Sequence, residues 1–181
     1  MNILLDMDGV IADFHGAVCR LYNYDITTWP RGEYDIPKVL DLNIYDFYEK
    51  LESTPNFWIN LEPLPWMREL YDSCREVGTV TITTSPTSDP DCLAQKVKWL
   101  RHHFHRHFTN FMIGKAKHLM ANHSNILIDD SFRNIEEFRH HGGRAIPFPT
   151  ITNELWYLRC DSCKHVKEQL RYFKETDNVS P

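Results

Sequence analysis

The chain has 181 residues, of which 42% are hydrophobic and 25% are charged, a balance typical of one globular domain with a well-buried core. The net charge of −5 argues against a general nucleic-acid surface, because such surfaces depend on many Lys and Arg contacts to phosphates, but it leaves a single nucleotide open as a ligand. No apolar run approaches the ~20 residues that span a bilayer. The five cysteines are odd in number and scattered, which argues against a disulfide framework. We therefore expect a cytoplasmic protein that binds neither membranes nor nucleic-acid polymers.

Short apolar runs along the chain predict strands at residues 2–5, 79–83, 110–113, 125–128 and 144–146. Apolar residues recur at helical spacing in three of the later stretches, residues 93–108, 118–122 and 135–140. Strand and helix thus alternate. The alternation predicts an α/β fold, a Rossmann-like parallel sheet with helices on both faces.

One interval breaks the alternation, between residues 23 and 65. It is rich in aromatic residues and prolines and contains one predicted helix, residues 42–51. We predict a small, mainly helical cap inserted after the first strand and helix, with residues 1–22 and 66–181 forming the core. A closing helix is predicted over residues 153–175, followed by a polar tail.

Two pairs of aspartates follow predicted strands. Asp6 and Asp8 come directly after the first strand, and Asp129 and Asp130 come directly after residues 125–128. The carboxyl ends of parallel strands meet at one edge of the sheet, where open α/β folds bind ligands. Asp129 and Asp130 alone could simply cap the next helix. The two pairs together favour a site for Mg²⁺, which binds hard oxygen ligands.

Groups suited to phosphate oxygens lie between these pairs. Thr84 and Ser85 end the second strand, and Lys115 and Lys117 precede a predicted helix. Hydroxyls, backbone N–H groups and an ammonium group all hydrogen-bond phosphate oxygens.

Taken in order, these residues resemble the four motifs of the haloacid dehalogenase superfamily. The resemblance covers residues 2–148 and consists of Asp6-Met7-Asp8-Gly9, then Thr84 or Ser85, then a lysine, then Asp129-Asp130. It implies a phosphoric monoester hydrolase that uses Mg²⁺ as its cofactor.

The resemblance also implies a role for each carboxylate. Asp6 would be the nucleophile that forms an aspartyl-phosphate, and Asp8 would be the general acid and base. Mg²⁺ would be held by Asp6, the Asp8 carbonyl and Asp130, with Asp129 behind them.

The second and third motifs of the resemblance concern the phosphate group. Thr84 and Ser85 would bind it, and one lysine would lie beside the nucleophile. Lys115 directly follows the predicted strand, whereas Lys117 opens the next helix and fits the expected spacing better. We favour Lys117 and keep Lys115 as the alternative.

Residues 8–14, 56–63 and 84–86 look like the corresponding segments of the 5'(3')-deoxyribonucleotidases. That likeness implies a nucleoside pocket lined by Phe14, Phe57, Trp58 and Ile59, where aromatic faces could accept a flat base. The alternative is that Phe57 and Trp58 pack in the core of the cap.

The expected function is therefore magnesium-dependent hydrolysis of (deoxy)ribonucleoside monophosphates, with a small-molecule nucleotide as partner. Two alternatives remain, the same chemistry on another small phosphate ester such as a sugar phosphate, and a catalytically silent module that binds nucleotide or magnesium. Beyond residue 148 the chain departs from the pattern, which leaves a homodimer open.

The cysteines and histidines elsewhere are not interpreted as metal ligands. Cys160 and Cys163 lack the second pair of ligands that a structural zinc site needs, so they are interpreted as ordinary helix cysteines. The histidines between residues 102 and 107 are expected on the solvated flank of a helix.

Overall fold

The computed structural model of the protein describes residues 1–177. Five strands form one sheet in the order β3-β2-β1-β4-β5, and every neighbouring pair is parallel. The strands are β1 (Asn2–Asp6), β2 (Thr79–Thr84), β3 (Phe111–Ile113), β4 (Asn125–Asp129) and β5 (Arg144–Pro147). The predicted parallel sheet is confirmed, with every strand end within one residue of its predicted position.

Seven α-helices lie within the described residues: α1 (Phe14–Leu21), α2 (Ile36–Val39), α3 (Ile44–Ser53), α4 (Met67–Arg75), α5 (Pro90–His103), α6 (Phe132–His140) and α7 (Ser162–Asp177). Short 3-10 helices occur at Ile26–Thr28, Lys117–Met120 and Trp156–Asp161. None of the described helices is long and apolar enough to cross a membrane.

Apolar side chains cover both faces of the sheet. Ile3 and Leu5 belong to a large cluster that includes residues of α4, α5 and α7. Leu4, between them, belongs to a second cluster with Ile135 and Phe138 of α6. Successive strand residues point to opposite faces, so the two clusters lie on opposite sides of the sheet. The predicted helices on both faces are confirmed, as expected of a buried parallel sheet.

The chain between α1 and α4 is mainly helical, containing α2, α3 and a 3-10 turn. It contacts the rest of the protein at Gly32, whose N–H donates to Ile151 O at 2.9 Å and whose φ is +80°. Tyr22, at the end of α1, stacks on Phe47 of α3. The division into a core and a cap at residues 23 and 65 stays a prediction.

Three helix predictions need correction. Residues 118–122 form only part of a 3-10 turn, and α5 ends at His103, where the chain turns back toward β3. The closing helix begins at Ser162 instead of residue 153, because Trp156–Asp161 form a 3-10 helix and the Asn153 side chain is bonded to Phe148 O and Asp130 O. The predicted polar tail from residue 178 onward lies outside the described residues.

The histidine cluster lies mostly on the surface, as predicted. His102, His105 and His107 are exposed and His103 is partly buried. Cys160 is exposed in a 3-10 turn and Cys163 is partly buried on α7.

Candidate active site

The two aspartate pairs meet at the carboxyl edge of the sheet. β1 pairs with both β2 and β4, so its last residue, Asp6, ends beside the end of β4. The chain then turns through Gly9, where φ is +77°. A Cβ at Gly9 would clash with Asp130 Oδ2, so the turn requires glycine for its conformation and for the close approach of the second pair.

Three buried carboxylates form a group that could hold a cation. Asp6, Asp129 and Asp130 each offer an oxygen, and these oxygens lie within 4.8 Å of one another. The carboxylate of Asp129 is already fully hydrogen-bonded, by Lys117, Asn134 and the N–H of Ser131. Asp130 Oδ2, by contrast, is buried without a partner among the described residues. A buried oxygen of this kind fits a hard cation such as Mg²⁺.

The carboxylate of Asp6 is held through only one of its two oxygens. Its Oδ1 lies 2.6 Å from Lys117 Nζ and accepts a hydrogen bond from the N–H of Met7 at 2.8 Å. No described residue hydrogen-bonds Oδ2. Burial and the nearby Asp129 raise the pKa of Asp6 to about 7, against the lowering effect of Lys117.

Lys117 links the two aspartate pairs. Its Nζ lies 2.6 Å from Asp129 Oδ2 as well as from Asp6, and the residue is 3% exposed. Burial alone would lower the pKa of Lys117, but the carboxylates of Asp6 and Asp129 raise it above its ordinary value. The ammonium group is therefore charged and fixed beside Asp6. Lys115, in contrast, is exposed and lies at the cavity wall.

A second buried lysine, which the sequence analysis missed, contacts Asp8. Lys96 Nζ lies 2.5 Å from Asp8 Oδ2 and donates hydrogen bonds at 2.8 Å to Thr84 Oγ1 and to Ser85 O. The Thr84 hydroxyl donates in turn to Asp8 Oδ2 at 2.8 Å. One signal could have revealed it: Lys96 shares the buried face of α5 with residues at helical spacing, namely Cys92, Trp99 and Leu100.

The two predicted hydroxyl residues differ in position. Ser85 lines the cavity above the carboxylates. Thr84 is fully buried behind it, and its hydroxyl is occupied by Asp8 and Lys96. Of the two, only Ser85 presents its side chain to a ligand.

A cavity of about 1470 Å³ opens above the carboxylates. Its wall includes both lysines of the site, Lys96 and Lys117, and extends to the helical segment between α1 and α4. That segment contributes three exposed aromatic residues, Tyr34, Tyr45 and Tyr48, which the sequence analysis did not single out.

Of the four predicted pocket residues, Phe14 and Trp58 line the cavity, and the role of all four in binding a nucleoside stays a prediction. Trp58 is only 4% exposed, because Phe14 stacks on it at 5.4 Å and Lys96 Nζ lies 4.5 Å from its ring centroid. Phe57 and Ile59 do not line the cavity. Phe57 packs edge-on against both rings, as the packing alternative supposed. Trp58 is thus largely covered by protein side chains, whereas the three tyrosines are exposed.

The fold is similar to that of solved haloacid dehalogenase-type hydrolases. A haloacid dehalogenase family hydrolase from Deinococcus radiodurans with bound phosphate and sodium has a similar structure, with a TM-score of 0.54 and 16% identity over 87% of this chain and 86% of that one. CbbY from Rhodobacter sphaeroides in complex with phosphate gives a TM-score of 0.51 and 16% identity over 84% and 88%. At these identities the likeness shows the fold alone.

Residues 1–173 match the family described as 5' nucleotidase, deoxy (pyrimidine), cytosolic type C protein, and the chain belongs to this family. It is similar to the 5'(3')-deoxyribonucleotidase of Bacillus subtilis, with 26% identity over 176 residues, 93% of this chain and 97% of that one. The human 5'(3')-deoxyribonucleotidase, cytosolic type, is 26% identical over 149 residues, 72% of this chain and 70% of that one.

Membership of the family confirms the resemblance and the enzyme class, a phosphoric monoester hydrolase of the nucleotidase type. One boundary needs correction. The family match continues to residue 173, well past the limit at residue 148 that the motifs gave. The later segment contributes no motif residue, although Asn153 binds the main chain of Asp130.

Proposed function

We propose that this protein is a magnesium-dependent phosphatase that hydrolyses (deoxy)ribonucleoside monophosphates through an aspartyl-phosphate at Asp6. The observation that carries the proposal is the arrangement around Asp6. One carboxylate oxygen is held by Lys117 and a backbone N–H, and the other has no hydrogen bond to a described residue, at the base of the cavity. A nucleophile fixed by one oxygen in this way presents the other in a defined direction.

Phosphoryl transfer requires in-line positioning and neutralisation of charge more than reactive side chains. Asp6 Oδ2 would attack phosphorus, and the P–O bond to the leaving group would break as Asp8 gives that oxygen a proton. Asp8 would then take a proton from the water that hydrolyses the aspartyl-phosphate. Lys96 and Thr84 hold Asp8 in place for both steps.

The metal would be bound by Asp6, the main-chain carbonyl of Asp8 and Asp130. Bound Mg²⁺ would supply positive charge next to the phosphoryl oxygens. The unpartnered Asp130 Oδ2 supports this ligand set, and the fully bonded Asp129 fits a supporting role. Asp129 would position Lys117, which we propose as the active-site lysine in preference to Lys115.

The remaining contacts to phosphate would come from Ser85 and the backbone near it, with Lys115 reaching from the rim. The nucleoside would occupy the cavity between the carboxylates and the exposed tyrosines, where aromatic faces can accept a base. The names of the bacterial and human relatives support a nucleotide substrate. We also propose a cytoplasmic location, in keeping with the human relative's name. A homodimer stays a prediction.

Phosphate release tests the substrate. We would assay 5'- and 3'-monophosphates of deoxyribo- and ribonucleosides, a sugar phosphate and a small aryl phosphate, each with Mg²⁺ and with excess chelator. We expect the highest kcat/KM for nucleoside monophosphates and no turnover in chelator. A higher kcat/KM for the sugar phosphate would replace the nucleotide assignment, and no release from any ester would indicate a silent module.

Trapping the intermediate tests the mechanism. With a ³²P-labelled aryl phosphate, whose leaving group needs little protonation, Asp8→Asn should still be phosphorylated but should lose the label slowly, since the base for hydrolysis is gone. Asp6→Asn should take up no label. Label that persists in Asp6→Asn would assign the nucleophile to another residue.

A further inference from the structure

The imidazole of His15 lies in the cavity wall and has no part in the chemistry described above. His15 is the second residue of α1 and lines the same cavity as Asp6 and Asp8. Its side chain makes no hydrogen bond to any residue between 1 and 177. The residue is only partly buried and lines the cavity, so its unoccupied ring nitrogens are available to a ligand bound there.

The position of the ring is fixed relative to the carboxylates. A Cβ placed on Gly9 would lie 3.1 Å from His15 Cε1 and would clash with Asp130 Oδ2, so imidazole and carboxylate flank the same glycine. The rings of Phe14 and Trp29 pack edge-on against the imidazole at 5.9 and 6.2 Å. These contacts hold the ring next to the place where phosphate chemistry would occur.

The charge state of His15 restricts what it can bind. Burial lowers its pKa to about 4, although Asp13 and Asp8 act in the opposite direction. A neutral imidazole offers one donor and one acceptor, which suits a hydroxyl group. A phosphate dianion would instead require a cation, such as Lys117 beside Asp6.

We propose that His15 is a substrate-positioning residue that hydrogen-bonds an oxygen of the sugar next to the phosphate. In a nucleotide the sugar is the group joined directly to phosphate, and His15 and Asp130 both adjoin Gly9. The inference rests on the proposed function for the identity of the sugar. It predicts that specificity for the sugar depends on this side chain.

A series of three substrates tests the contact, because each adds one part of a nucleotide. The substrates are a small aryl phosphate, deoxyribose 5-phosphate and a deoxyribonucleoside 5'-monophosphate. His15→Phe keeps an aromatic ring beside Trp29 but removes both ring nitrogens. We expect KM for the two sugar-containing substrates to rise roughly three- to tenfold, the value of one hydrogen bond, with KM for the aryl phosphate unchanged.

Two further variants separate binding from packing. His15→Gln retains a polar group near the position of Nε2 and should recover part of the loss. His165→Phe is the matched control, because His165 is also partly buried, with its pKa lowered chiefly by burial, but it lies on α7 and does not line the cavity. It should leave all three KM values unchanged.

The outcomes distinguish the two proposals. Equal losses on all three substrates with His15→Phe, or no loss on the sugar phosphate, would overturn the sugar contact while leaving the nucleotidase proposal intact. A rise in KM confined to the full nucleotide would indicate that His15 contacts the base, and it would also overturn the sugar contact. If the wild-type protein prefers deoxyribose 5-phosphate to nucleotides and His15→Phe removes that preference, the nucleotide proposal fails and the sugar contact stands.

Discussion

Lys96 Nζ lies 2.5 Å from Asp8 Oδ2, joining the middle of α5 to the turn after β1. The lysine is 1% exposed, so its charge acts with little screening by water. It also contacts the face of Trp58 and the hydroxyl of Thr84. One buried cation thus sets the position of the proposed acid and base, and it does so from a helix that carries none of the four motifs.

Lys96→Met should lower kcat/KM on every substrate, because it removes the charge that holds Asp8 while filling a similar volume. A loss of about 10²–10³-fold is expected for a preorganised charge at a reaction centre. Lys98→Met is the control, since Lys98 is exposed on the same helix. If kcat/KM of Lys96→Met were close to that of Lys98→Met, Lys96 would contribute to the fold and not to catalysis.

Asp6→Asn should abolish turnover and leave the fold intact. The amide has the shape of the carboxylate but is a poor nucleophile and a weaker metal ligand. Steady-state phosphate release and thermal melting by circular dichroism would measure the two effects separately. Residual activity within about tenfold of wild type would be incompatible with an aspartyl-phosphate at Asp6.

Tyr48→Leu should reduce nucleotide turnover selectively. Tyr48 is 39% exposed and lines the cavity, so it can stack on a base. The loss of one stacking contact, ~1–3 kcal/mol, corresponds to a fall in kcat/KM of roughly tenfold to a hundredfold. A small aryl phosphate should be unaffected. Tyr157→Leu, at an exposed tyrosine that does not line the cavity, should match wild type on both substrates.

Trp58→Ala should behave differently from Tyr48→Leu. Trp58 is buried between Phe14 and Lys96, so truncation should destabilise the protein by ~3–5 kcal/mol and disturb Lys96. The melting temperature should fall, and turnover of nucleotide and aryl phosphate should fall together. A selective loss on nucleotides at an unchanged melting temperature would restore Trp58 as a base-stacking residue.

The stability of chelator-treated protein should depend on Asp6 between about pH 4 and pH 7. The pKa of Asp6 is raised from 3.8 to about 7 in the folded protein, so over this range the folded state holds a proton that the unfolded state has lost. This contribution to the free energy of unfolding is fully present below pH 3.8, the pKa of the unfolded state. It is lost as the pH rises through about 7, the pKa in the folded protein. The free energy of unfolding from urea titrations should therefore decline across this range.

Asp6→Asn should make that decline shallower, because the amide does not titrate. Asp72→Asn, at an exposed position on α4, should keep the wild-type dependence on pH. If the free energy of unfolding declined equally with pH in wild type and both variants, the raised pKa of Asp6 would be contradicted.

The features set by local sequence were predictable, and those set by distant contacts were not. Apolar runs bounded by polar turns located all five strands, and the position of Asp6 and Asp130 at strand ends located the carboxylates. Lys96 was missed because its partner, Asp8, is 88 residues away in the chain. The covered face of Trp58 likewise depends on Phe14 and Lys96, which adjoin it only in the folded protein.

The side chain of Asn153 donates hydrogen bonds to Asp130 O at 3.0 Å and to Phe148 O at 2.8 Å. The backbone that carries the proposed metal ligand is thus held in part by a residue beyond the last motif. A fragment ending at residue 148 would contain every motif side chain and still lack this support for Asp130. We therefore expect the shortest active fragment to extend beyond the last motif and to include Asn153.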